Sequence, residues 1–244
     1  MNNNQSLFDL FLIDVETVPQ AADFQQLSPA AGKLFLEKIS KTMPEHFDED
    51  IAYQKKAGIL AEFAKVVCIS TGFFYKDKGG RICLKIKSIF GHDEIEVLQK
   101  FIILIEKMQQ HNRSFQFAGH NIREFDIPFL CRRMVINDFV LPSCMNVHGA
   151  KPWEIKWLDT LHWWRFGDYK NYTSLNLLAC TLGIPTSKDD IDGSQVQHVY
   201  YKENDLQRIA TYCEKDVIVV ARIIQKFLHL PTIANENIIF SDHA

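Results

Sequence analysis

The segment Phe11-Leu12-Ile13-Asp14-Val15-Glu16-Thr17 places two acids at the end of an apolar run. Leucine, isoleucine and phenylalanine dominate residues Leu7–Val15, which predicts a buried β-strand. Asp14 and Glu16 are two residues apart on that strand, so their side chains leave the same face with backbones roughly 6–7 Å apart. A pair of acids at a strand end is more often a solvated edge, so this segment alone indicates no chemistry.

The rest of the chain predicts a mixed β-sheet flanked by helices. Four further strands are expected, at Val66–Tyr75, Arg81–Phe90, Phe115–Gly119 and Trp157–Thr160. Trp157–Thr160 is expected to be the last strand of the chain. Helices are expected at Ala30–Ile39, Glu49–Phe63, Asp93–Gln110, Asp126–Asn137, Thr173–Leu182 and Asp205–Phe227. Strands first and alternating elements later are typical of an α/β fold. We expect one domain over residues 1–244, with a helical insertion at about 18–62 and a C-terminal tail at 228–244.

Composition narrows the class of protein. The chain has 244 residues, of which 47% are hydrophobic and 18 are Phe, and this excludes disordered and collagen-like chains. The formal net charge of −3 argues against a broad basic surface for a polyanion. Six scattered cysteines without a CxxC pair indicate reduced thiols. Neither a signal peptide nor a membrane-spanning run is evident, so we expect a cytoplasmic protein without membrane contact.

A second segment, Gly119–Leu130 with the sequence GHNIREFDIPFL, follows a predicted strand. It carries Asn121 in a turn and Asp126 at the start of a predicted helix. Asp126 alone fits an ordinary helix N-cap, and Pro128 fits a first helical turn equally well. Asp159, further along the chain, has no motif partner and is expected to be a cap or a supporting residue.

The last predicted helix carries Tyr212-Cys213-Glu214-Lys215-Asp216. Tyr212 and Asp216 are four residues apart and therefore share one face of the helix. An exposed pair at this spacing is the ordinary explanation. The neighbours Ile209, Val217 and Val220 are apolar, however, so this part of the helix must dock on the core and bring an acid with it.

Four acids at the ends and faces of different elements would repel one another if they converged. Close carboxylates raise one another's pKa and resist ionisation. Convergence becomes favourable when hard divalent cations lie between them, and Mg²⁺ or Mn²⁺ prefers such oxygen ligands. Asp14, Glu16, Asp126 and Asp216 together, without a zinc spacing of Cys or His, therefore indicate metal-assisted phosphoryl chemistry.

The ordered set FLIDVET, GHNIREFDIPFL and YCEKD resembles the three exonuclease motifs of the DEDD superfamily, tyrosine branch (DEDDy). The middle motif, N-x-x-x-F-D-x-P-F, resembles the proofreading exonuclease domain of family B DNA polymerases more than ribonuclease D. The chain is also similar to predicted stand-alone 3′–5′ exonucleases related to that domain. Two further segments, Ser174–Leu178 and Lys188–Ser194, support the match, which extends from about Phe8 to Phe227. The resemblance implies a ribonuclease H-like fold, with a mixed sheet flanked by helices.

The resemblance also implies a role for each acid. Asp14 would bridge two divalent ions, and Glu16 and Asp216 would complete the site of the first ion. Asp126 would hold the second ion. Tyr212 fits an orienting role better than that of a base, since a phenol stays protonated near neutral pH.

Substrate contacts are implied at fewer positions. Asn121 and the backbone around Thr17 resemble positions that touch the 3′-terminal nucleotide, although a turn-stabilising asparagine is an open alternative. Phe125 is placed to stack on terminal bases or, equally, to pack in the core. Further candidates for the channel leading to the site are Lys170, Tyr172 and Lys188.

We therefore predict a 3′–5′ exonuclease that uses two Mg²⁺ or Mn²⁺ ions to hydrolyse phosphodiester bonds at single-stranded 3′ ends, with DNA favoured over RNA. A ribonuclease D-like RNA trimming enzyme and a non-cleaving nucleic-acid-binding module on the same fold are the open alternatives. Subtracting the four ligand acids from the formal charge of −3 leaves about +1. A strand end held locally is thus expected, which leaves room for a replication or repair partner that retains the enzyme.

Overall fold

The computed structural model describes residues 7–43, 47–112, 115–186 and 190–241, which include a mixed six-stranded sheet flanked by helices. The strands are β1 (Leu10–Pro19), β2 (Ala64–Lys76), β3 (Ile82–Phe90), β4 (Gln116–Gly119), β5 (Leu158–Asp159) and β6 (Ile238–Phe240). Their spatial order is β5-β4-β1-β2-β3-β6. Strand β2 is antiparallel to β1 and β3, whereas β4 pairs parallel with β1 and β5, and β6 pairs parallel with β3. The predicted α/β fold is confirmed.

Six of the eight described α-helices begin where a short polar side chain accepts a hydrogen bond from free backbone N–H groups. The bounds of all eight are α1 (Pro29–Ile39), α2 (Glu49–Lys56), α3 (Glu94–His111), α4 (Asp126–Ile136), α5 (Thr160–Arg165), α6 (Leu175–Thr181), α7 (Val196–His198) and α8 (Leu206–Phe227). Ser28, Asp48, Asp93 and Asp205 cap α1, α2, α3 and α8 in this way. Among the described helices, none combines the length and apolar character needed to cross a membrane.

Strand β1 separates two hydrophobic cores. Phe11, Ile13 and Val15 pack toward α3 and α4, whereas Leu10 and Leu12 pack toward α8. This alternation is the two-residue period of a strand that is covered on both faces. Because α8 covers the second face, the residues that follow the two leucines on that face lie close to α8.

A buried ion pair joins α3 and α4, the two helices on the face of the sheet opposite α8. Arg133 of α4 donates from Nε and Nη2 to the two carboxylate oxygens of Glu94 on α3, at 2.9 and 2.5 Å. Glu94 also accepts the backbone N–H of Val66 at 2.7 Å, and Arg133 donates to the carbonyl oxygen of Ala61 at 2.8 Å. Each charge therefore has partners inside the protein, and the network ties both helices to the start of β2.

One strand was not expected from the sequence. The prediction that Trp157–Thr160 is the final strand is wrong, because β6 follows it inside the region expected to be a tail. Strand β6 lies on the edge of β3, with Leu84 opposite Ile238. Three residues are too few to show a strand period, so β6 forms because the folded sheet offers an edge for pairing.

The insertion between β1 and β2 is helical, but its second helix is shorter than predicted. The expected helix Glu49–Phe63 ends at Lys56 and continues only as a 3-10 turn, Ala57–Ile59. Within that turn the carbonyl oxygen of Gly58 accepts a hydrogen bond from the hydroxyl of Thr17 at 2.6 Å. A tertiary contact at this position thus accompanies the end of the helix. The predicted division into one domain with an insertion and a tail stays a prediction.

Candidate active site

Two carboxylates follow the leucines on the α8 face of β1. Asp14 and Glu16 lie opposite Ser70 and Cys68 of β2, so both side chains point to this face. The register of the β1–β2 pair shifts immediately afterwards, between Glu16 and Thr17. A bulge of this kind bends a strand and changes the direction of its side chains, often beside a functional site. The two acids therefore precede a bend in the strand, and pairing resumes after it with Thr17 opposite Val66.

Helix α8 brings Tyr212 and Asp216 to the same face of the sheet. Asp216 is buried on a helix whose Val217 is also buried, which confirms the predicted docking of this segment. The hydroxyl of Tyr212 forms a hydrogen bond with Asp216. The approach is close because β2 carries Gly72, where a Cβ atom would lie 2.9 Å from Cγ1 of Val217. A larger residue there would push α8 and its acid away from the sheet.

A second close approach places Asp126. Gly119 ends β4 at a point where a Cβ atom would lie 2.8 Å from the carbonyl oxygen of Ile13, so the position suits glycine alone. Asp126 is the first residue of α4, and Phe125 occupies the N-cap without a side-chain bond. The carboxylate of Asp126 accepts the backbone N–H of Val15 on β1. Asp126 is thus buried against the strand that carries the first two acids.

The turn between β4 and α4 is held by Asp159. Its buried carboxylate accepts the backbone N–H of Asn121 at 2.9 Å and that of Arg123 at 3.0 Å. It also accepts the N–H of Leu161 at 2.9 Å as the N-cap of α5. Asn121 takes a left-handed backbone (φ 63°), which asparagine adopts more readily than most residues. The expectation that Asp159 is a cap or a supporting residue is confirmed.

Burial and mutual repulsion dominate the electrostatics of the acids. Burial, followed by the charges of Asp216 and Asp126, holds the pKa of Asp14 well above its usual range. Burial and the carboxylate of Asp14 do the same to the pKa of Glu16. Burial also raises the pKa of Asp126 to about 8. The group therefore resists full ionisation near neutral pH and gains from any cation that neutralises it.

Two polar side chains beside the acids are held neutral. Burial, and then the charges of Glu16 and Asp216, raises the pKa of the Tyr212 phenol, so its hydroxyl remains a proton donor. Burial lowers the pKa of His120. The ring nitrogens of His120 lie 2.9 Å from the hydroxyl of Thr160 and 2.9 Å from the carbonyl oxygen of Thr173. Both side chains can therefore contact a ligand without adding a charge.

A thiol also touches the acids, and sequence reasoning did not assign it. Cys213 Sγ donates to Asp14 Oδ2 at 3.2 Å and to the carbonyl oxygen of Asp14 at 3.3 Å. Its sulfur and the carboxylates of Asp14 and Glu16 lie within 4.8 Å of one another. Burial raises the pKa of Cys213, which keeps it a thiol. The sequence signal that could have identified Cys213 is its position between Tyr212 and Asp216 on a helix that docks on the core.

These elements enclose an open cavity of about 300 Å³. Its wall brings together Asp14, Asp126, Asp216 and Tyr212, and Glu16 adjoins Asp14. The volume is at the lower end of the range for small-molecule sites, about 300–1,000 Å³. The five residues predicted to carry the chemistry therefore meet in one place, although they come from three separate parts of the chain.

Only some of the residues predicted to contact the substrate lie at the cavity. Asn121 and Phe125 line the cavity, whereas the Thr17 hydroxyl is engaged with Gly58 outside its wall. Asn176 also lines the cavity, and sequence reasoning quoted it only as part of a supporting segment. The buried Oδ1 atoms of Asn121 and Asn176 have no hydrogen-bond partner among the described residues, so each is an unsatisfied acceptor beside the cavity. The candidate Lys188 lies outside the described residues.

The chain matches a family described as predicted 3′–5′ exonucleases related to the exonuclease domain of PolB, over residues 59–230, and it belongs to that family. Among solved structures it is similar to the family B DNA polymerase of the hyperthermophilic archaeon Pyrobaculum calidifontis, with a TM-score of 0.50 and 13% sequence identity. That likeness covers 90% of this chain and 24% of the polymerase, and at this identity it shows the fold alone. No curated protein gave a significant match to the sequence.

The family assignment confirms the predicted class of protein, an exonuclease related to polymerase proofreading domains. Such enzymes act on nucleic acid and usually depend on metal ions, and the described residues contain a carboxylate cluster that could hold them. The matched range includes Asp126 and Asp216 but begins after Asp14 and Glu16. In the fold, β1 supplies Asp14 to the same cavity, and Glu16 adjoins Asp14. The roles of individual residues stay predictions.

Proposed function

We propose that the chain is a metal-dependent 3′–5′ exonuclease that removes nucleotides from single-stranded 3′ ends, preferably of DNA, with two divalent cations. The observation that carries this proposal is the convergence of Asp14, Asp126 and Asp216 on one cavity. These acids come from β1, α4 and α8 and are buried or half-buried. No cation is among the causes that raise the pKa values of Asp14 and Asp126. A protein that folds against this repulsion provides a site for external positive charge.

The donor chemistry fits hard cations. Carboxylate oxygens are the preferred ligands of Mg²⁺ and Mn²⁺, and Asp14, Glu16, Asp126 and Asp216 supply them. We assign Asp14 to both ions, Glu16 and Asp216 to the first, and Asp126 to the second. When bound, the ions would lower the pKa of the attacking water and stabilise negative charge on the leaving 3′ oxygen.

The remaining residues of the cavity bind and orient the terminal nucleotide. Phe125 packs on Phe129 with ring centroids 5.3 Å apart and still lines the cavity, so part of its ring is available to a base. The free acceptor of Asn121 would take a hydrogen bond from the same nucleotide. Tyr212, kept protonated by burial and hydrogen-bonded to Asp216, would orient the water or the phosphate through its hydroxyl.

The preference for a single strand rests on charge, and the preference for DNA rests on the relation to polymerase exonuclease domains. The chain carries 27 basic and 30 acidic residues, which does not favour a broad phosphate-binding face of the kind that grips a duplex. A strand end can instead be held by the cations, by stacking and by a few hydrogen bonds. Binding without metal should accordingly be weak and sensitive to salt.

The test is a side-by-side digestion of 5′-labelled single-stranded DNA and RNA of the same sequence, with Mg²⁺ or Mn²⁺. We expect a descending ladder that is faster on DNA, that chelator abolishes, and that does not appear on circular single-stranded DNA. Glu16→Gln should stop the ladder, whereas Glu37→Gln, the same change at an exposed position of α1, should not. Equal digestion by wild type and Glu16→Gln would refute the site, and faster digestion of RNA would refute the substrate.

A further inference from the structure

The segment between α5 and α6 carries three aromatic side chains that the core does not use. Phe166, Tyr169 and Tyr172 are 78%, 73% and 64% exposed. Single exposed apolar residues are ordinary, but three rings within seven residues form a patch of the kind that marks an interaction site. We call residues 166–173 the aromatic loop.

The backbone of the aromatic loop is held in a defined conformation. Arg165 Nε donates to the carbonyl oxygen of Asn171 at 3.2 Å, and Asp168 accepts the backbone N–H of Lys170 at 3.2 Å. Phe166 has a left-handed backbone (φ 45°), which is rare for a bulky residue. The rings are therefore presented to solvent by a braced loop, and this lowers the entropy lost when they bind a ligand.

The C-terminal end of the aromatic loop lies at the cavity. Tyr172 lines the cavity together with Asp126, and the charge of Asp126 follows burial as a cause of the raised pKa of Tyr172. Tyr169 is three residues earlier, a span of at most ~10 Å along the chain. Stacked nucleotides rise by ~3.4 Å each, so Tyr169 lies within the length of about three nucleotides of Tyr172.

The chemistry of the aromatic loop favours bases over phosphates. Its eight residues contain one acid, Asp168, and one base, Lys170, so it carries no net charge. Aromatic rings, in contrast, stack on the flat faces of all four bases and therefore tolerate any sequence. A strand whose 3′ end lies in the cavity would carry its next bases toward these rings.

We propose that Phe166, Tyr169 and Tyr172 form a stacking surface for the bases upstream of the 3′-terminal nucleotide. The inference rests on the proposed function, because it requires a single strand that enters the cavity by its 3′ end. The aromatic loop would supply affinity that the small charge of the protein does not. This affinity would depend on strand length and bases, and only weakly on salt.

The test compares a dinucleotide with a dodecanucleotide of DNA, using kcat/KM in saturating Mg²⁺. In wild type we expect the longer strand to be cleaved more efficiently because it reaches the aromatic loop. In the double variant Phe166→Ala, Tyr169→Ala this advantage should fall by about tenfold or more, mainly through KM, since a stacked base contributes about five-fold or more. Tyr172 is left intact because it lines the cavity. Trp153→Ala, which removes a ring that is 75% exposed outside the aromatic loop, is the matched control and should keep the advantage.

A second substrate separates stacking from phosphate contact. A dodecanucleotide with abasic sites upstream of its terminal nucleotides keeps every phosphate but loses the bases that would stack. Wild type should treat it as poorly as the double variant treats the intact strand. Phe166→Trp, Tyr169→Phe should retain the length advantage, because both substitutions preserve an aromatic face.

The outcomes distinguish the two proposals. If wild type and Asp14→Asn are equally inactive on both oligonucleotides, the proposed function fails. If wild type cleaves both but the double variant keeps the length advantage, the exonuclease stands and the stacking surface is refuted, leaving the exposed rings to a protein partner. Full activity of wild type on the abasic strand would also refute the stacking surface.

Discussion

Glu94 of α3 and Asp14 of β1 are both acids between the sheet and its helices, but their neighbours have opposite effects on their charges. Glu94 lies between two nitrogens of Arg133 and the N–H of Val66, so its charge is compensated inside the chain. Asp14 is surrounded by further acids, and its pKa is raised by burial and by Asp216. The ion pair of Glu94 joins elements of the fold. The acids around Asp14, in contrast, repel one another and are held together by the rest of the fold.

Compensation by a partner charge distinguishes a structural charge from a functional one. A buried ion pair that is complete needs nothing from solution, and its removal affects the free energy of unfolding. A cluster of like charges reduces that free energy and is retained for what it binds. The following variants should therefore divide cleanly between loss of activity and loss of stability.

The largest effect is expected for Asp14→Asn. Loss of a shared cation ligand removes several kcal/mol of transition-state stabilisation, which corresponds to a drop in kcat/KM of at least about 10³-fold. The free energy of unfolding in chelator should stay equal or rise, because one repelling charge is gone. Steady-state kinetics and urea unfolding of the same preparation test both parts. A variant that is inactive only because it is unfolded would break the comparison.

Arg133→Met should produce the opposite result. It leaves Glu94 buried without its cation, so we expect a loss of about 3–5 kcal/mol in the free energy of unfolding. The kcat of the folded fraction at low temperature should remain close to wild type. Adding Glu94→Leu should recover part of the stability by removing the uncompensated charge. Normal stability with lost activity would mean that Arg133 serves the site instead.

Asp126 gives the pH dependence of the acid cluster. Its pKa is about 8 in the folded protein and near 3.8 in the unfolded chain, so the folded state holds a proton that the unfolded state releases between these values. Stability in chelator should therefore fall as pH rises from about 4 to about 8. Asp126→Asn lacks this ionisation and should be more stable than wild type by at least about 1 kcal/mol at pH 8.5, with little difference at pH 4. Urea unfolding at the two pH values provides the measurement, and an equal difference at both would contradict the assignment.

The smallest effect is expected at Cys213. Its thiol donates to Asp14, so Cys213→Ala should leave that carboxylate less well oriented and raise the Mg²⁺ concentration for half-maximal activity by about tenfold, as for other outer partners of metal ligands. Cys213→Ser keeps a donor and should restore most of the affinity. A magnesium titration of both variants tests this. The same loss in the two variants would assign Cys213 to packing alone.

The fold and the acids were largely predictable from local pattern. Asp14 and Glu16 share a face because a strand has a period of two, and Tyr212 and Asp216 share one because a helix places i and i+4 together. Both statements need only a few neighbouring residues. Strand β6 was missed because its three residues carry no period of their own, and Cys213 was missed because its contact with Asp14 joins positions 199 residues apart.

Local sequence was enough to show which residues are acidic, which face of each element they occupy and which family they resemble. Tertiary structure alone decided that β1, α4 and α8 meet at one cavity, with Gly72 and Gly119 allowing the close approach. It also decided which acids are compensated and which repel. The physical reason is that a pKa depends on burial and on charges brought near by folding. No local pattern distinguishes Glu94, which has Arg133, from Asp14, which has other acids.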